Sequence, residues 1–173
     1  MTAVVPFELG PMPSDRHMKT VDERLVGAPI GRIFSLAAGV ERWPALLPHY
    51  RYVRFVERGA DGGGVVDMSA SRPFGLVQWP TWWRSRMTVH APGGRRPPAI
   101  RFSHVAGVTR GMEVEWTFDE VADATRVRIV HLWDGPPVPM LGELAATMVI
   151  GPVFVHGIAS RTLAGLATVA ERG

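Results

Sequence analysis

The sequence predicts an α+β domain: a curved antiparallel sheet of seven strands around one long C-terminal helix, with two short helices after the first strand. Three observations carry this. Six strand-like runs follow one another between residues 50 and 134, separated by short turn signals. An isolated strand-like run, 19–26, precedes them and leads into two short helical pieces. Finally, Met140 to Glu171 reads as a long helix after the Pro136-Pro137 stop, apolar over its first half and sparsely charged. A helix that apolar must be covered on most sides. A flat sheet covers only one face, so the sheet is expected to curl around it.

The elements follow in order. Residues 1–17 hold Pro6, Gly10, Pro11 and Pro13 with little periodicity, the pattern of a flexible or loosely docked tail, and 18–173 form the single domain. The first strand, Lys19–Val26, ends at Gly27. Pro29 suits the first turn of a helix, because its fixed φ is already helical and its missing N–H costs nothing there. Ile30, Ile33 and Phe34 supply that helix's apolar stripe. A shorter piece carries Trp43, and Pro44 and Pro48 keep it short.

The remaining strands are expected at Tyr50–Arg58, Gly64–Ser71, Thr81–Ala91, Ala99–Val105, Arg110–Asp119 and Thr125–Asp134. Hairpin connections are expected at 59–63, 92–94, 106–107 and 122–123. In the last helix, Gly151-Pro152 should introduce a kink, since proline removes a backbone bond and clashes with the preceding turn.

Composition excludes several function classes. With 173 residues, 46% apolar and 20% charged, the chain has the make-up of an ordinary globular domain with a sizeable core. The net charge of +3 is almost all arginine, Lys19 being the only lysine. Apart from Arg84/Arg86, Arg95-Arg96 and Arg126/Arg128 the arginines are scattered, so no nucleic-acid stripe forms. The absence of cysteine removes disulfide and thiolate chemistry. The six histidines are dispersed, and no metal-binding spacing, dinucleotide fingerprint or nucleophile elbow occurs, so neither metal nor cofactor is expected. The most apolar segment, 144–155, is short and interrupted by Gly151-Pro152. With no secretory n-region and apolar run at the start, the reading is a cytoplasmic protein without stable membrane insertion.

Alternation assigns the inward face of three strands. Met112, Val114, Trp116 and Phe118 alternate with Glu113, Glu115 and Thr117. Val127, Ile129, His131 and Trp133 oppose Arg126 and Arg128, and Ile100, Phe102 and His104 oppose Arg101 and Ser103. A tight turn at Ala122-Asp123 sets Val114 opposite His131, and a connection centred near Val108 sets His104 opposite Met112. The strand 81–91 is ambiguous. Pattern alone buries Trp83, Ser85, Met87 and Val89 and leaves Trp82, Arg84, Arg86, Thr88 and His90 outside.

The run Val26–Phe34, followed by Val40-Glu41-Arg42-Trp43-Pro44 and Tyr50, resembles the opening of the polyketide cyclase/dehydrase and lipid-transport superfamily, the START-related helix-grip fold. Within it the chain is most similar to the aromatase/cyclases of bacterial aromatic polyketide synthesis. Trp82 and Arg86, four apart on one strand, look like that family's pocket tryptophan and arginine. Met112, Trp116-Thr117-Phe118 and Glu120-Val121 look like its sixth-strand pattern, and Ser160-Arg161-Thr162 lies in the matching part of the last helix. Arg84 stands where the family usually has a small polar residue, Pro80 where another tryptophan is common, and no asparagine matches the one on its last helix.

The resemblance implies a container with an apolar cavity between sheet and helix. It implies Arg86 and Tyr50 as catalytic residues, with Trp43, Trp82, Met112 and Trp116 around the ligand, and the alternation above sets His104, His131 and Trp133 on the same wall. The ligand would be a small hydrophobic or polyketide-like molecule, and an acyl carrier protein or a second copy of the chain are the candidate macromolecular partners. Cyclisation or dehydration needs a proton taken from beside a carbonyl and an enolate stabilised. Arginine stays protonated and cannot be the base, but in a water-poor pocket it can hold an oxyanion. Tyr50 can relay a proton and a histidine can act as base. The alternative is a carrier of a lipid, quinone or other hydrophobic metabolite, with no chemistry of its own. An inward Arg86 near Tyr50 favours the enzyme, and a pocket without it favours the carrier.

Overall fold

The computed structural model describes residues 8–74, 77–135 and 151–173. Strand β1 (Met18–Val26) leads into α1 (Ile30–Ala38), a single 3-10 turn (Val40–Arg42) and the short α2 (Trp43–Leu46). Six strands follow: β2 (Tyr50–Arg58), β3 (Gly64–Phe74), β4 (Val77–His90), β5 (Ala99–Gly107), β6 (Glu113–Val121) and β7 (Ala124–Trp133). Helix α3 (Gly151–Glu171) ends the chain. The part of this helix expected before Gly151, and with it the kink at Gly151-Pro152, lies outside the described residues.

The seven strands form one curved antiparallel sheet, as the sequence predicts, and their order in it is β1-β7-β6-β5-β4-β3-β2. The two strands that flank the short helices are therefore its edges. The core fills the concave side, where Ile33, Phe34, Trp43 and Leu47 from the short helices meet Leu163, Leu166 and Ala167 of α3. Phe34 and Phe118 meet edge to face at 5.0 Å, which ties α1 to β6. Pro29 sits one residue earlier than expected, at the N-cap with ψ 147°, and its carbonyl accepts the first helical N–H bonds. The Trp43 indole N–H donates to the Leu36 carbonyl at 3.1 Å, which sets the angle between α1 and α2.

The turn at Ala122-Asp123 falls where expected and pairs Val114 with His131. The β5–β6 connection differs. Strand β6 starts at Glu113 rather than Arg110 and β5 runs on to Gly107, because Gly107 (φ 89°) and Gly111 (φ 86°) turn the chain between them. A Cβ at Gly107 would stand 2.2 Å from the Trp82 carbonyl oxygen, so only glycine fits there. His104 still faces Met112: its N–H donates to the Met112 carbonyl at 2.9 Å. Strands β3 and β4 extend beyond their expected ends, to Phe74 and back to Val77.

Residues 8–17, expected as flexible or loosely docked, lie against the outer side of the sheet. Glu8 is 3.0 Å from Arg96, Arg101 donates to the Gly10 carbonyl, and Arg16 and His17 both bind Asp134. Asp134, holding these bonds, titrates at about 2, first because the His17 backbone N–H donates to it and then through Arg16. Among the described residues no helix is long and apolar enough to cross a membrane.

Candidate functional site

Between the concave face and α3 lies a cavity of about 70 Å³. Trp43 and Tyr50 close one end, Met68 and Trp83 come from β3 and β4, and Phe102 and His104 from β5. Met112, Val114, Trp116 and His131 line the sheet side further on, and Val155, Ile158, Ala159 and Thr162 supply the helix side. Thr109 reaches in from the β5–β6 connection.

Alternation explains which side chains arrive. Met87 stands opposite Phe102, Phe102 opposite Val114, and Val114 opposite His131, so one inward row crosses from β4 to β7. Met68 stands opposite Trp83 in a second row on the same face, four residues along β4 from the first. Aromatic rings make up much of the wall. Trp43 packs on Tyr50 at 5.1 Å and on Trp116 at 5.9 Å, and Tyr50 lies 6.4 Å from Trp83.

Of the residues the sequence singles out, Tyr50, Trp43, His104, Met112, Trp116 and His131 meet around this space. Three do not, and these are corrections. Trp82 is 37% exposed and Arg86 is exposed, both on the outer face of β4, whereas Trp83 and Met87 are buried inside. The plain alternation of β4 holds and the carried-over placement of Trp82 and Arg86 does not. The physical reason lies next door. Asp67 on β3 is paired in register with Arg84 and points outward, where it accepts two bonds from the Arg84 guanidinium at 2.6 and 3.0 Å. Turning β4 over would bury Arg84 and break that two-pronged pair. Trp133 is fully buried but packs beyond the cavity wall, with its indole N–H donating to the Arg110 carbonyl at 3.0 Å.

Polar groups sit at both ends of the apolar space. At one end the Thr162 hydroxyl donates to the Ile158 carbonyl at 2.8 Å and lies 3.4 Å from Tyr50 Oη and 3.0 Å from His49 Nε2. This makes a phenol–hydroxyl–imidazole chain leading away from the cavity through half-buried His49. Burial pushes the Tyr50 phenol well above its ordinary range, against the opposing hydrogen bond to Thr162. Burial lowers His49, helped by Arg161.

At the other end His104 Nδ1 lies 2.6 Å from Thr109 Oγ1, and the ring stacks on Trp83. Burial lowers His104 to about 3, with His131 nearby adding to the effect. Burial likewise lowers His131 to about 3, and His156 contributes. At neutral pH the cavity therefore presents a neutral phenol and two neutral imidazoles. It can donate and accept hydrogen bonds, but it offers no charge. Trp83, Met68, Phe102, Val114 and the α3 side chains were not singled out as ligand residues from sequence. Alternation already marks Phe102 and Val114 as inward, and on pattern alone Trp83, but Thr162 depends on how α3 is rotated and Thr109 on the shape of a turn.

The chain is thus a curved antiparallel sheet closed by a helix around an apolar cavity with hydrogen-bonding groups in its wall. The sequence profile of the polyketide cyclase/dehydrase and lipid transport family matches residues 26–155, and the chain belongs to that family. Among curated proteins none matches the sequence. Similar solved structures include TTHA0849 from Thermus thermophilus, with 18% identity over 87% of this chain and 95% of that one, at a TM-score of 0.69. The Zhui aromatase/cyclase from Streptomyces sp. R1128 gives 19% identity, 90% and 94% coverage, and a TM-score of 0.67. A START superfamily protein from Mycobacterium smegmatis gives 16% identity, 89% and 97% coverage, and 0.64. Such likeness establishes the shared fold.

Proposed function

We propose that this protein binds a small, neutral, flat molecule bearing a carbonyl or hydroxyl group in the cavity between sheet and α3. The observation that carries this reading is the charge state of the lining: Tyr50, His104 and His131 all face an apolar space and all are held neutral. Such groups match an uncharged polar ligand and would leave a carboxylate desolvated and unpaired. The size of the space points the same way. At about 70 Å³ it is far below the roughly 300–1,000 Å³ of pockets that enclose drug-sized ligands. Met68 and Met112, unbranched and adaptable, are the wall residues best able to yield to a ring.

Carriage is favoured over catalysis on two counts. Arg86 is on the outer face, so the oxyanion holder that cyclisation would use is not at the cavity. An imidazole titrating at about 3 is also a weak general base at neutral pH. Cyclisation or dehydration remains the second reading because of the Tyr50–Thr162–His49 cluster, where turning the Thr162 hydroxyl from the Ile158 carbonyl to His49 Nε2 would open a route for a proton from the cavity phenol. The aromatase/cyclase resemblance supports this second reading.

Calorimetric titration with acetophenone and with benzoate tests the binding reading. Acetophenone is expected to bind and benzoate not. Equal binding of the two, or preference for benzoate, would overturn it.

A further inference from the structure

A polar seam adjoins the cavity on the side of β1, and the binding reading above does not use it. Thr20 on β1 stands directly opposite His131 on β7, and Asp22, two residues on, lies on the same face of the sheet. Asp22 is only 5% exposed, and its Oδ1 is 2.6 Å from His156 Nδ1 on α3. Thr20 Oγ1, Asp22 Oδ2 and His131 Nδ1 are all buried, and none has a hydrogen-bond partner among the described residues. A buried polar group left unpaired has given up its hydrogen bonds to water and regained none. Three in one cross-strand neighbourhood, with His131 also lining the cavity, mark a place shaped for a polar guest rather than three separate accidents.

The chemistry of the three atoms narrows that guest. A carboxylate oxygen only accepts, whereas a hydroxyl and a neutral imidazole either donate or accept. A carbonyl could satisfy Thr20 or His131 but not Asp22. An ammonium could donate to all three, but it would carry a full charge into a buried seam whose one carboxylate is already bonded to His156 Nδ1. A neutral hydroxyl both donates and accepts, and so meets all three. Burial raises the Asp22 carboxyl while His156 pulls it back, which agrees with a site that disfavours additional charge.

We propose that Thr20, Asp22 and His131 form a hydroxyl-binding subsite at the β1–β7 seam, continuous with the cavity, and that the ligand carries a phenol-type hydroxyl. This rests on the binding reading and specifies its ligand. Phenol and toluene, nearly equal in shape, are the probes, and calorimetric titration reads their affinities for the wild-type chain and for Thr20→Val. Phenol is expected to bind at least about tenfold more tightly than toluene. Thr20→Val, which keeps the side-chain shape, should remove most of that preference while leaving toluene binding unchanged. Asp22→Asn, checked for fold by circular dichroism, is the second variant and should likewise reduce the ratio. Toluene binding as tightly as phenol, or a ratio unchanged in both variants, would overturn the subsite and leave the seam to solvent. Binding of neither probe would overturn the cavity reading and this inference with it.

Discussion

Trp83 lies stacked against His104, with ring centroids 6.0 Å apart and ring planes within 17°. The pair joins β4 to β5 on the concave face, and it fixes which of two adjacent tryptophans belongs to the cavity. Trp83 is 5% exposed, whereas Trp82 has Arg84 6.0 Å above its ring on the outer face. Trp83→Ala should therefore cost about 3–5 kcal/mol of stability, the range for removing a buried large aromatic. Trp82→Ala should cost less than about 1 kcal/mol. Urea denaturation of both variants decides between them, and the reverse order would place the wrong tryptophan inside.

The same division applies to Arg86 and Tyr50. Arg86→Ala alters the outer face of the sheet and should leave acetophenone affinity within about twofold. Tyr50→Phe removes the only phenol at the cavity and should weaken acetophenone about fivefold or more, the effect of losing about one net hydrogen bond. Calorimetry on both variants measures this. Loss of binding in Arg86→Ala with an intact circular dichroism spectrum would return the arginine to the site.

The strands and most of the register were legible because alternation and turn chemistry are local. Val114 meets His131 because the Ala122-Asp123 turn fixes the count between them, and His104 meets Met112 although the connection between β5 and β6 is longer than the pattern predicts. The face of β4 was only half legible. A tryptophan and an arginine four apart must share a face of a strand, but their spacing does not say which face. The residue that decides is Asp67, on a neighbouring strand, through its pair with Arg84. Thr162 and Thr109 were illegible as cavity residues for a similar reason. A helix offers several faces, and only packing against the sheet selects the one that carries Thr162. The Thr20–Asp22–His131 seam combines both difficulties, since it appears only when β1, β7 and α3 are placed together.

Gly107 tests the connection that sets His104 in place. Its φ is 89°, and a Cβ would meet the Trp82 carbonyl oxygen at 2.2 Å, backbone that cannot swing aside. Gly107→Ala should destabilise the fold by about 1–3 kcal/mol through left-handed strain, with the close contact adding to it. It should also loosen the Trp83–His104 stack, because Gly107 pairs with Trp83 across β4 and β5. Thermal denaturation and near-ultraviolet circular dichroism report the two effects. An unchanged melting temperature would mean that the turn is not formed as described.

Acid should unfold this protein from a higher pH than its carboxylates alone would require, and the two cavity imidazoles are the reason. His104 and His131 both titrate at about 3 in the folded chain, against 6.5 when unfolded. As pH falls below about 6.5, the unfolded chain takes up two protons that the folded chain refuses. Stability is thus fully present above 6.5 and is lost progressively on the way down to about 3. Each imidazole contributes a slope of up to about 1.4 kcal/mol per pH unit, or nearly 3 together. Asp67 acts lower on the scale. The Arg84 hydrogen bond depresses its carboxyl, so its contribution is lost only as pH falls below the ordinary carboxylate range. Urea denaturation at pH 7, 6, 5 and 4 should show the steep decline, and replacing His104 with Gln should reduce the slope by about half. A wild-type profile flat between pH 6.5 and 4.5 would mean that the imidazoles are reached by water and protonate freely, and the neutral cavity on which the binding reading stands would go with it.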